Sequence, residues 1–171
     1  MKKLLVLSSL AAALLVTGCS VKTTDMQTQT SGTERYGTQP FNGSRDNFVS
    51  VEDRIDYIEA YLQNVFFDFD KFNIRPDMKG VIDNDAMVLT SIAASPLTTR
   101  IEGNTDEWGT DEYNYALGLK RAVAVRDALV AKGVSQSKII LVSYGESKPT
   151  CTSKTEACWA ENRKVTFKML P

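Results

Sequence analysis

The stretch TTRIEGNTDEWGTDEYNYALGLKRAVAVRDALVAKG, residues 98–133, reads as a strand, a turn and a long helix in succession. Thr98 to Gly103 is a strand. A helix then runs from Thr110 or Asp111 to Lys132 with Leu117, Val125 and Leu129 among its buried residues, and Gly133 stops it. Working outward, KIILVSY (138–144) is a further strand, Gly145 to about Thr155 is a loop, and NRKVTFKM (162–169) is the last strand. On the amino-terminal side, NVFFDF (64–69) is aromatic and β-branched and gives the first strand, which ends in the Asp- and Asn-rich turn chemistry of residues 68–73. Pro76 opens a helix with Met78, Val81, Ile82, Leu89, Ile92 and Ala93 on one face, closed by Pro96. Ahead of it, Ser50 with Asp53 resembles a capping box, and Val51, Ile55, Ile58 and Leu62 recur at helical spacing. That short amphipathic helix either packs on the domain or presents a face to a partner. Strands joined by helices of this length give an α+β fold: a two-layer sandwich of order β-α-β-α-β-β, with a mixed sheet of about four strands and helices on one face.

Composition narrows the chemistry. The chain has 171 residues, 20 Lys plus Arg against 21 Asp plus Glu, and a formal net charge of -1. Without a basic field there is nothing to collect phosphates, so no nucleic-acid partner is expected. The sequence contains no His, which removes Ser-His-Asp and Cys-His catalysis together with the commonest zinc ligand. No metal or cofactor is expected.

The first 18 residues carry Lys2 and Lys3, an apolar run from Leu4 to Val16 and small residues before Cys19, the order of a removable signal peptide. Val16-Thr17-Gly18-Cys19 resembles a bacterial lipobox, whose Cys becomes the acylated first residue of the mature chain. Several acyl chains hold a protein to a membrane without spanning it. Ser20 is not the Asp that retains lipoproteins at the inner membrane, so the resemblance implies the outer membrane, with the domain in the periplasm. Residues 19–49, lipidated Cys19 plus a stretch rich in Ser, Thr, Gln and Gly, read as a flexible tether, and residues 50–171 as the folded domain. Cys151 and Cys158 remain as an even pair in a compartment that permits disulfides, so they are expected to bond.

Four further segments carry a family resemblance. FFDFDKFNIRPD (66–77), IEGNTDEWGTDEYNYALGLKRAVAV (101–125), VSYGESKP (142–149) and ENRKVTF (161–167) are together similar to the OmpA-like peptidoglycan-binding domain. The resemblance implies an outer-membrane lipoprotein that binds the cell wall noncovalently through the diaminopimelate residue of the stem peptide. It also implies a place in the Tol system, with TolB as partner, supporting envelope integrity during constriction.

The ligand explains the motif. Diaminopimelate presents an ammonium and a carboxylate on one stereocentre, so a receptor needs an acceptor and a forked donor held close together. Matched to the family pattern, Arg121 takes the carboxylate, Asp106 takes the ammonium, and Asn114 orients the ligand or braces a loop. Leu117 and Gly118 lie between Asn114 and Arg121 on one helix face, and Gly118 is small enough for a ligand to approach. Asp68 and Phe69 match the family's FD motif and form another wall, where backbone groups of Phe69 and Asp70 meet the ligand. Arg163 is a further candidate. Asn104 stands where many relatives have His, and Lys164 replaces the second Arg of the usual NRR, which puts any role of that position in doubt.

Blander readings stand beside these. Asp106 caps the next helix or braces the turn at Gly109, and Arg121 pairs with a surface carboxylate. Trp108 and Trp159 stack on sugars or pack in the interior. The rival functions are a wall-tethering lipoprotein independent of Tol, or a cell-wall hydrolase using two of Asp68, Asp70, Asp106 and Glu107. The chain is read as a binding module and not an enzyme.

Overall fold

The computed structural model describes residues 41, 43 and 45–171. The expected signal peptide, the expected lipid site Cys19 and most of the expected tether lie outside them. Helix α1 (Val51–Glu59) starts where Ser50 Oγ accepts the Asp53 N–H at 3.1 Å, while the Asp53 carboxylate reaches back to the Val49 N–H at 3.2 Å. The capping box therefore closes one residue earlier than its usual form. Tyr57 and Ile58 are buried, so the apolar stripe packs on the domain. Packing begins before residue 50, since Phe41 and Phe48 lie against Tyr57. At the far end of α1, Glu59 accepts the Met169 N–H at 2.7 Å and Lys168 Nζ at 2.8 Å.

Strand β1 holds only Val65–Phe66, shorter than the 64–69 read from sequence. Phe67 still donates its N–H to Arg163 O at 2.9 Å, but the chain then turns, with Lys71 N–H on Asp68 O at 3.2 Å and Asp70 in the left-handed region at φ 56°. Asp is among the residues that tolerate that conformation, and the turn ends the ladder. Pro76–Met78 form a 3₁₀ turn leading into α2 (Lys79–Leu89). The expected extension of this helix to Pro96 fails. Thr90 Oγ1 bonds Ala86 O at 2.8 Å and Ser91 Oγ bonds Val88 O at 2.7 Å, so side chains satisfy the last carbonyls and end the helix. Ile92, placed on the buried face by periodicity, is 66% exposed.

Strand β2 (Thr98–Asn104), helix α3 (Asp111–Val130) and strand β3 (Ile139–Gly145) form a parallel crossover unit, α3 being capped by Thr110 Oγ1 on the Tyr113 N–H at 3.2 Å. Helix α4 (Glu156–Asn162), unassigned from sequence, follows the loop after β3, and β4 (Lys164–Leu170) returns antiparallel between β1 and β2. The four-stranded mixed sheet has the order β1-β4-β2-β3. Its core joins Phe67, Ile82, Ile101, Val125, Leu129, Val165 and Met169.

Helix α3 lies on β2 in backbone contact. A Cβ on Gly103 would fall 1.9 Å from Gly118 O, and one on Gly118 would fall 2.4 Å from Ser143 Oγ. Gly118 thus lets helix meet strand and leaves no opening for a ligand, which corrects the reading of that residue.

Candidate functional site

The carboxyl end of β2, the first half of α3, the turn after β1 and the start of β4 converge on Arg121. This guanidinium belongs to a residue with 0% exposure, and its planar fork holds three backbone carbonyls. Nε donates to Lys71 O at 2.8 Å, Nη1 to Asn104 O at 2.8 Å and Nη2 to Asp68 O at 3.2 Å. The Phe67 ring lies 5.2 Å from its centre. Burial pushes the group down to about 10, with Asp106 opposing that shift, so Arg121 is still a cation at neutral pH. Of five N–H groups, three are committed to carbonyls and two have no partner among the described residues.

Asp106 follows β2 and is buried against Arg163, a contact the sequence reading did not contain. Arg163 Nη1 donates to its Oδ2 at 3.1 Å, while Arg163 Nε reaches Phe67 O at 3.3 Å and Nη2 reaches Glu156 Oε1 at 3.0 Å. Among the described residues nothing donates to Asp106 Oδ1. The two arginines clamp the turn after β1 from both sides, since one holds the carbonyl of residue 67 and the other those of residues 68 and 71. Such bonds between charged donors and buried carbonyls rank among the stronger ones.

Asn114 is fully buried two turns before Arg121 on α3. Its Nδ2 donates to Glu146 Oε2, and its Oδ1 has no partner among the described residues. Leu117, buried between the two, lies outside the main apolar cluster and lines this end of α3. On the outer rim Phe69 is 57% exposed, Asp68 is 3.7 Å from Arg75, and Asp70 accepts a hydrogen bond from the Tyr113 hydroxyl.

The structure therefore brings Asp106, Arg121, Arg163 and the backbone of the Asp68–Asp70 turn into one cluster, with Asn114 and Leu117 along the same helix. Glu146, Glu156 and Tyr113 complete it without having been singled out. Glu146 stood inside the quoted VSYGESKP segment, but its contact with Asn114 spans 32 residues and no local spacing announces it. For a hydrolase, Glu107 is set the wrong way. Hydrogen bonds from Lys154 and Trp159 hold its carboxyl below the ordinary range, opposite to what a general acid at neutral pH needs.

Residues 66–163 match the sequence profile of the OmpA family. The chain is 35% identical over 160 residues to the peptidoglycan-associated lipoprotein of Mesorhizobium japonicum, covering 94% of this chain and 88% of that protein. To the protein of that name from Pasteurella multocida it is 41% identical over 116 residues, 68% of this chain and 73% of the relative. The crystal structure of the peptidoglycan-associated lipoprotein from Burkholderia pseudomallei superposes with a TM-score of 0.58 at 40% identity, over 62% of this chain and 88% of that one. The C-terminal domain of Helicobacter pylori MotB reaches a TM-score of 0.59 at 21% identity, over 64% and 84%, a likeness of fold alone. With a profile match over more than half its length and relatives of this identity along most of it, the chain belongs to the OmpA family.

Proposed function

We propose that this chain is a lipoprotein of the outer membrane, anchored through acylated Cys19, whose domain grips peptidoglycan through diaminopimelate and so links membrane to wall within the Tol-Pal system, with TolB as partner. The observation that carries the wall-binding reading is that Asp106, with one carboxylate oxygen given no donor among the described residues, shares a buried cluster with Arg121, which has two N–H groups beyond those on carbonyls. An ammonium on Asp106 and a carboxylate on Arg121 would add no net charge to the site, and both would be desolvated by the same event. Lysine in the stem peptide ends in an ammonium alone and leaves the guanidinium without its partner, a loss on the order of 1 to 3 kcal/mol. Discrimination between walls follows.

Attachment does not require tight single-site binding. Acyl chains confine the domain beside a dense polymer of ligands, and effective concentration multiplies a modest affinity. The relatives' shared name, peptidoglycan-associated lipoprotein, supports both halves of the reading.

The test is co-sedimentation of the purified protein with sacculi of diaminopimelate and of lysine type, alongside Asp106→Ala and Arg121→Lys, with circular dichroism as the folding check. Retention on the diaminopimelate wall, reduced about tenfold or more in both folded variants, is the expected outcome. Equal retention on both walls overturns the site. A TolB pull-down addresses the Tol assignment separately, because a folded chain that binds wall and ignores TolB would be a tether outside that system.

A further inference from the structure

A concavity adjoins this cluster and shares Glu146 with it. It is a cavity of about 200 Å³ between the end of β2, the loop after β3 and α4, and its lining includes Thr105, Glu107, Glu146, Cys151, Lys154 and Trp159. Thr105 is 2% exposed and its hydroxyl has no partner among the described residues, a buried polar group of the kind folded chains rarely leave unpaired. The loop wall is held in place twice. Cys151 is bonded to Cys158 on α4, and the Asn162 amide accepts the N–H groups of Thr150 and Cys151 at 2.9 and 3.0 Å while donating to Cys151 O at 2.7 Å. Trp159 is fixed by its Nε1–H on Glu107 Oε1 at 2.9 Å and by a T-shaped contact with Trp108 at 5.3 Å, and Trp108 itself is 52% exposed.

The lining selects against several ligand classes. Glu107 is paired with Lys154 and Glu146 accepts from the Asn114 amide, so the lining leaves one uncompensated carboxylate that repels an anion, while its hydroxyl and carboxylate groups disfavour an apolar molecule. An uncharged ring with hydroxyls on its edge and C–H groups on its face satisfies all of them, meeting an indole with the face and acceptors and donors with the edge. We propose that this cavity is a subsite for one amino sugar of the glycan strand, adjoining the site that takes the stem peptide. The inference rests on the wall-binding reading above and extends it from peptide to sugar. Chain continuity supports the joint use of cavity and cluster. Thr105 precedes Asp106 and Asn162 precedes Arg163, so adjacent residues of the same two segments serve the cavity on one side and the ion pair on the other.

The experiment titrates the purified protein by calorimetry with a tripeptide ending in diaminopimelate and with the same tripeptide carrying its disaccharide, in the wild type, Trp159→Leu and Thr105→Val. The disaccharide is expected to tighten binding about fivefold to tenfold, and each substitution to erase that increment while leaving tripeptide affinity unchanged. Equal affinity of the wild type for both probes overturns the subsite, as does an increment that survives both substitutions. If the wild type binds neither probe, the wall-binding reading itself fails and the subsite falls with it. Indole fluorescence during titration with the disaccharide alone gives a second readout, since a sugar on Trp159 changes its emission and a sugar bound elsewhere does not.

Discussion

Arg121 is a structural bracket before it is anything else. Its three carbonyl bonds tie residues 68, 71 and 104, and lysine, a point charge without a planar fork, cannot reproduce them. Arg121→Lys is therefore expected to lower folding stability by about 3 kcal/mol in urea unfolding while keeping the site's charge. A variant as stable as the parent would refute the bracket. Asp106 and Arg121 were singled out through the family resemblance, carried by one contiguous strand-turn-helix segment in which they sit 15 positions apart, and the structure places them in one cluster. The contact between Asp106 and Arg163 was not legible. Arg163 lies 57 residues from Asp106, and only the return of β4 beside β2 brings them together.

At the scale of elements, α1, α3 and the strands β2, β3 and β4 followed from pattern and spacing, whereas the end of α2 and all of α4 did not. Helix α3 had a capping Thr, buried Leu and Val at helical spacing and a terminal Gly, whereas α4 has seven residues and is fixed by the Thr155 cap and the disulfide, which periodicity does not report. Helix α2 holds a feature invisible in any pattern. Asp85 is fully buried, its Oδ1 accepts the Gln63 N–H at 3.0 Å, and its Oδ2 has no partner among the described residues. Burial raises its pKa from 3.8 to about 7, against the lowering effect of the Gln63 and Asn84 hydrogen bonds. Because the folded chain then binds the proton more tightly than the unfolded one, this group favours folding most below pH 3.8 and progressively less up to pH 7, beyond which its effect is constant. The loss across that window is at most about 4 kcal/mol. Asp85→Asn is expected to flatten the pH dependence of the melting temperature between pH 4 and 7, and a slope unchanged by the substitution would exclude Asp85 as its source.

For the molecule as a whole, the sheet order places β1 at an edge and β4 inside, so the amino-terminal side of the domain is held by a two-residue strand, by the buried Tyr57 and Ile58 of α1 and by Glu59 on the last residues of β4. An anchor at Cys19 and a grip on the wall would make this arrangement a load path. Tension entering from the amino-terminal side meets α1 first, then β1, and next the turn at residues 67–71, which the two arginines rivet to the cluster. Pulled in optical tweezers from that side, the protein is expected to yield first by detachment of α1 and β1 at low force, with bound wall fragment lost before β2, β3 and α3 unfold. Ligand retained until the whole sheet opens would contradict this sequence of events. The short edge strand would thus set a breaking strength below that of the remaining sheet. Under overload the envelope would lose a grip that can re-form when tension falls, while the fold that makes the grip survives to take hold again.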